Sequence, residues 1–414
     1  MCARLPVSGA RWRKVVSSWT APWLLPLACV AGEAIVVSPG PGDDAPALRA
    51  ALDALRRQGG GDAILAAGTY EVGAQLSLDG LSGARIIGRG EVVLRLAPGR
   101  WTRTTRAAGR GDTALFVRQG DVFSPGLRIE IQGANRESQT PDGRPHRIPY
   151  VNGTVREVQP DRIVLAEPLG ADIAADAAVL HPMNIFDGRR DIRGLTIQGL
   201  VLDLNRDAWP VAPLDHSSHS GIFLHGPYSY EKGPTGPRLE GIRIIGCTVR
   251  GAHHRGIAFY SACHSGVYDC RIENTAAEGI DFDHFARHCA AVGNTLVGCQ
   301  NIEINDASEC LVANNLLRGC RAGIVVWQWC QLPGLNERNL ILRNRFEDCP
   351  PPVIVLKEGA DHNTVLGNAG AIDQGPALVV AGTGNIVGEN PFHVARGPVA
   401  QIGPGNLRPA PERE

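Results

Sequence analysis

Apolar and polar residues alternate through the second half of the chain in short blocks that repeat. The blocks read GIFLH (221–225), GIAFY (256–260), GIDFD (279–283), NIEIN (301–305), GIVVW (323–327) and PVIVL (352–356). Starts at 256, 279, 301 and 323 lie 23, 22 and 22 residues apart. Alternation with period two marks strands that bury one face. The pairs Ile222/Leu224, Ile257/Phe259, Ile280/Phe282, Ile302/Ile304, Ile324/Val326 and Val353/Val355 are therefore expected to point inward. The interleaved residues are expected to face solvent in two columns. One reads Phe223, Ala258, Asp281, Glu303, Val325, Ile354; the other reads His225, Tyr260, Asp283, Asn305, Trp327, Leu356.

A second register keeps step with the first. Cys247, Cys270, Asn294, Asn315, Asn344 and Asn368 occupy one equivalent position, and Cys299, Cys320 and Cys349 another. Self-similarity at this period predicts a solenoid of stacked rungs. Asparagines in one column are expected to bond up and down the stack, and the cysteines to pack as small free thiols.

The first half fits the same plan. DDAPALRAALDALRRQGG places Leu48, Ala51, Leu52 and Leu55 on one helical face, which predicts a helix capping the open end of the solenoid. Residues 112–185 lose the period and read as antiparallel strands, a small inserted β-domain. The chain then divides into a signal-like segment (1–33), cap and first rungs (34–111), the insert (112–185), the main solenoid (186–395) and a Pro-rich tail (396–414) expected to be disordered.

Composition narrows the setting. With 41 basic and 42 acidic side chains there is no basic field, so nucleic acid is not an expected partner. Arg11, Arg13 and Lys14 precede a short apolar stretch interrupted by Pro22 and Pro26, which points to a secreted, periplasmic or cell-surface protein. No later segment is long and apolar enough to span a bilayer.

The DDAPALRAALDAL…GGGDAILAAGTY opening, the LDLNRD segment (202–207) and the rungs together resemble the right-handed parallel β-helix proteins of the pectate-lyase-like superfamily, over roughly residues 40–395. The resemblance implies an all-β fold, a right-handed parallel β-helix, and an enzyme acting on a polysaccharide or oligosaccharide.

Outward aspartates are the unusual feature. Asp281 and Asp283 share a rung, and Glu303 and Asn305 stand beside them on the next, so three carboxylates should lie within roughly 5–7 Å. Like charges at such spacing raise one another's pKa. His225, Tyr260 and Trp327 flank them as sugar-stacking candidates; Arg255, His284, Asp306 and Lys357 lie at the ends of neighbouring strands. Two carboxylates are what glycoside hydrolysis requires, so Asp281, Asp283, Glu303 and His284 are the candidate catalytic residues. The same carboxylates also suit Ca²⁺, and no other cofactor is expected. EGIDFDHF is similar as well to the Tyr-Gly-x-Asp-Pro-His motif of mannuronan C5-epimerases, with Gly279 and Asp281 in matching places. Glu278, Phe282 and Asp283 depart from it, and the histidine arrives one residue late. That alternative also needs cations to stabilise an enolate-like charge, with Arg255, Arg287 and Lys357 the candidates. A non-catalytic carbohydrate-binding solenoid is the third reading.

Overall fold

The computed structural model describes residues 33–140, 143–330 and 332–408. The signal-like stretch therefore lies, apart from Glu33, outside the described residues.

Helix α1 (Ala45–Gln58) forms where alanine and leucine dominate, and it stops at Gly59, whose φ of 72° suits a residue without Cβ. It buries Leu48, Ala51, Leu52 and Leu55 against the first turn of the solenoid, facing Val37, Leu65, Leu76 and Phe186. Strand β1 (Gly61–Val72) pairs in parallel with β2 (Ala84–Leu96), and the short strand Ile35–Val37 pairs with β1 to open the stack.

The chain then leaves the solenoid. From Trp101 to Leu180, earlier than the loss of period at 112 indicated, it forms a six-stranded sheet whose pairings are antiparallel. Its longest members are β3 (Arg128–Gln139) and β4 (Pro145–Gln159), a hairpin that projects past its own core of Ile129, Ile131, Val155, Ile163 and Leu165.

After the insert the rungs resume. β5 (Ile222–His225), β6 (Ile257–Tyr260), β7 (Ile280–Asp283), β8 (Ile302–Asn305), β9 (Ile324–Trp327) and β10 (Ile354–Leu356) stack in parallel. They belong to a ten-stranded sheet, and a nineteen-stranded sheet forms the remaining walls among the described residues. Ile222, Phe259, Phe282, Ile304 and Val326 fill the lumen with no exposed surface. The molecule is a parallel β-helix.

Between rungs the asparagine column works as a ladder. Asn294 Nδ2 donates to Asn315 Oδ1, Asn315 to Asn344 and Asn344 to Asn368, at 2.9–3.0 Å. The nine cysteines among the described residues are free, and all but Cys263 are buried.

Two expectations need correction. Ile354 pairs with Ile324 and Leu356 with Val326, so these two point inward and Val355 points out. Aligning PVIVL from its first residue slipped the register by one, which exchanges the faces of a strand. Lys357 thereby takes the outward position after Leu356. The tail is not disordered from 396: Ala400–Ile402 is a further strand paired with Leu378–Val380, and Asn406 ends a second asparagine ladder. Proline content concealed it, because two prolines bracket the strand rather than interrupt it.

Candidate active site

The outward residues of β6, β7 and β8 meet as register dictates. Asp281 stands between Ala258 and Glu303, and Asp283 beside Tyr260. One oxygen each of Asp281, Asp283 and Glu303 falls within a 4.8 Å circle. These side chains leave the lumen as expected, but they do not face solvent. Asp281 is fully buried, and Asp283, Glu303, Asn305 and Tyr260 are nearly so. Alternation reports which side of the sheet a residue leaves from; it cannot report what the loops lay over that side.

Three segments do the covering. The loop after β5 packs Tyr228 and Tyr230 against His284, with ring centroids 5.2 and 5.0 Å apart. The loop after β9 brings Trp329 within 5.9 Å of Trp327. The segment ahead of β5 sets the His216 carbonyl against Arg255.

Arg255 lies at the centre of the buried charge. Its Nε donates to Asp281 Oδ2 at 2.5 Å and approaches Glu278 Oε2 at 3.1 Å, while Nη1 donates to the His216 carbonyl at 2.6 Å. The guanidinium also sits 5.6 Å from the Tyr260 ring. Asp281 Oδ1 has no hydrogen-bond partner among the described residues.

β7 ends at Asp283, and His284 follows with a φ of 26°. The strand has therefore turned before His284, whose ring swings over the outward face. Its Nδ1 lies 3.1 Å from Asp283 Oδ1 and 3.0 Å from Asp306 Oδ2. Asp306 also accepts the backbone N–H groups of Trp329 and Cys330. Its role is thus to orient His284 and tie down the loop after β9, and it lies behind the histidine.

Burial drives the titration behaviour. It pushes Asp281 well above the usual carboxylate range, with Asp283 adding to the effect and Arg255 opposing it. Asp283 rises for the same reason, restrained by His284, Arg255 and a hydrogen bond from Tyr260. Glu303 is pushed up to about 8 by burial, then by Glu278 and Asp283, against a hydrogen bond from Trp327. Burial lowers His225 to about 4.

The flanking residues separate into two groups. His225 stacks on Tyr260 at 5.4 Å, and Lys357 Nζ stands 4.7 Å over the Trp327 ring, so both join the site. Asn305 lies buried beside Asp283 with Oδ1 unpartnered among the described residues. Arg287 does not join: it forms an outer-wall ion pair with Glu309 at 2.7 Å. Sequence reasoning passed over Glu278, His216, Tyr228, Tyr230 and Trp329. The two tyrosines and Trp329 sit in insertions that break the rung spacing, which was the available signal.

Above the site a cleft of roughly 740 Å³ runs between the β3–β4 hairpin and the covering loops. His146, Tyr150, His216, Tyr230 and Trp329 line it, so its floor consists of residues that touch Arg255, His284 and Asp306.

The three converging carboxylates are the donors a Ca²⁺ ion would use. The Arg255 cation already contacts Asp281, one of them.

A family described as right handed beta helix region matches residues 214–336. No curated protein sequence matches the chain. Among solved structures, the catalytic domain of a GH87 alpha-1,3-glucanase in complex with tetrasaccharides is 11% identical, covering 93% of this chain and 59% of its own, with a TM-score of 0.52. The A-module of an Azotobacter vinelandii mannuronan C-5 epimerase is 13% identical over 90% of this chain and 98% of its own, with a TM-score of 0.37. A polygalacturonase from Erwinia carotovora ssp. carotovora is 9% identical over 91% and 96%, with a TM-score of 0.39. The family match and the glucanase fix the fold as a right-handed parallel β-helix.

Proposed function

We propose that the protein is a glycoside hydrolase that cleaves a polysaccharide or oligosaccharide held in the cleft between the β3–β4 hairpin and the covering loops. One observation carries this reading. Three carboxylates converge beneath the covering loops whose Tyr230 and Trp329 line that cleft, in surroundings that favour their protonated forms.

Hydrolysis through an oxocarbenium-like transition state needs one carboxylic acid and one carboxylate. Glu303 is the proton donor, since burial raises its pKa to about 8 and it forms no ion pair among the described residues. Asp283 is the ionised partner, because it accepts from the His284 backbone N–H at 2.7 Å and has the His284 ring at 3.1 Å. As the glycosidic C–O bond breaks, the Glu303 proton passes to the leaving oxygen. Water adds to the anomeric carbon, and its proton goes to Asp283. Arg255 fixes Asp281 and Glu278 and offsets part of the negative charge gathered beside the reacting pair. His225, Tyr230 and Trp327, which keep exposed surface, offer ring faces to sugar rings. No helix among the described residues is long and apolar enough to cross a membrane. The basic and then apolar segment within residues 1–33 supports an exported protein meeting its substrate outside the cell.

A uronate lyase or C5-epimerase is the second reading, favoured by the contact of Tyr260, Asp283 and His284 over a buried arginine. It ranks below hydrolysis because the Arg255 N–H groups are already directed at Asp281, Glu278 and the His216 carbonyl, leaving little for a substrate carboxylate. Neutral and uronate polysaccharides incubated with the protein separate these readings. New reducing ends without ultraviolet absorbance are expected, and Asp283→Asn or Glu303→Gln should lower the rate at least ~100-fold. Absorbance from unsaturated uronate would replace hydrolysis by elimination. Full activity in both variants would remove the site.

A further inference from the structure

We infer that the inserted sheet positions the acidic rung: Glu130, assisted by Arg128 and Gln132, fixes the strap of residues 212–217, whose His216 carbonyl holds Arg255 against Asp281 and Glu278. The inference rests on reading that rung as catalytic, but its structural half stands independently.

RIEIQ (128–132) alternates as a strand should. Ile129 and Ile131 enter the insert's own core, so Arg128, Glu130 and Gln132 share the opposite face. That face should be solvated, yet Glu130 has no exposed surface. A buried carboxylate persists only where hydrogen bonds replace water. Here one oxygen accepts the Leu214 N–H at 2.9 Å and the other the Asp215 N–H at 2.8 Å. Gln132 Nε2 donates to Glu130 Oε1 at 2.9 Å and to the Ala212 carbonyl at 2.8 Å. Arg128 and, from β4, Asn152 close the grip on Asp215 Oδ2, at 2.5 and 3.0 Å. Four side chains of the insert thus hold residues 212–215.

The strap's other edge faces the turn before β6. Its Pro213 carbonyl meets His254 Nε2 at 3.0 Å, and its His216 carbonyl accepts from Arg255 Nη1. The strap therefore carries contacts from both the insert and Arg255. Without the His216 carbonyl, the guanidinium keeps its two carboxylates, both at Nε, and the Tyr260 ring, and can turn about Cδ–Nε. Glu130 touches no part of the cleft's reacting end, so it is a positioning residue.

Glu130→Gln tests this, since an amide offers one acceptor where two backbone N–H groups point. Leu165→Ala is the control: it opens a cavity in the insert's core away from the strap. The Arg255 Nε–H proton, followed by ¹⁵N NMR of arginine-labelled protein and assigned with Arg255→Lys, should exchange with solvent at least tenfold faster in Glu130→Gln and at the parent rate in Leu165→Ala. On whichever polysaccharide the parent cleaves, Glu130→Gln should lower kcat about tenfold with KM within about threefold. Unchanged Nε–H exchange in Glu130→Gln, or faster exchange with kcat unaltered, would overturn the inference. A parent inactive on every sugar would count against hydrolysis alone, and the exchange measurement would still decide the clamp.

Discussion

At the scale of single residues, the chemistry depends on how burial and Arg255 divide three carboxylates. Glu303 gives the clearest test. Its folded pKa of about 8 lies above the ordinary glutamate value, so the folded state favours the proton. The stability tied to that proton is complete below pH ~4.5 and disappears as pH rises to 8. Each unit of such a shift is worth about 1.4 kcal/mol, so the loss reaches a few kcal/mol. Glu303→Gln cannot ionise and should escape it. Melting curves at pH 4.5, 6.5 and 8.5 should show the variant gaining on the parent as pH rises; parallel curves would contradict the assignment. Activity of the parent should decline above pH 8 as the donor loses its proton. Sequence reading found these residues because aspartate is rare in strands, and it placed Asp281, Asp283 and Glu303 together correctly. It failed on their surroundings, since Tyr228, Tyr230 and Trp329 reach the site through loops whose path no periodicity encodes.

At the scale of the rung, repetition explains both what was legible and where legibility stopped. Five of the six blocks share a first inward isoleucine, and their stacking follows from alternation alone. PVIVL begins with proline instead, and nothing local says whether it starts the strand or precedes it. The asparagine ladder is the same logic in polar form. Asn344 Oδ1 accepts from the backbone N–H and Nδ2 of Asn315, and its own Nδ2 donates to the Val312 carbonyl and Asn368. Replacing it orphans buried groups on both sides, at about 1–3 kcal/mol each. Asn344→Ala should therefore destabilise the protein by at least ~2 kcal/mol in urea titration. A solvent-facing asparagine outside the column, such as Asn135, should change stability by less than ~0.5 kcal/mol when replaced.

At the scale of the molecule, a solenoid must end, and each end is managed differently. α1 covers the first rung with leucines, a device the amphipathic pattern announced. The other end has no helix among the described residues. Its last rungs instead lean on Ala400–Ile402, and Asn385 Nδ2 finds its acceptor in Asn406. Because each rung touches only its neighbours, loss of the last one exposes the next, and opening can propagate inward. A chain ending at residue 395 should therefore melt several degrees lower than the parent. Amide exchange in Leu378–Val380, now an unpaired edge, should rise by at least tenfold, while β7 and β8, several rungs away, keep the parent rate. If those amides remain protected after truncation, the 400–402 strand does not close the solenoid. If β7 and β8 loosen equally, the rungs form one cooperative unit, and the site depends on the far end of the molecule.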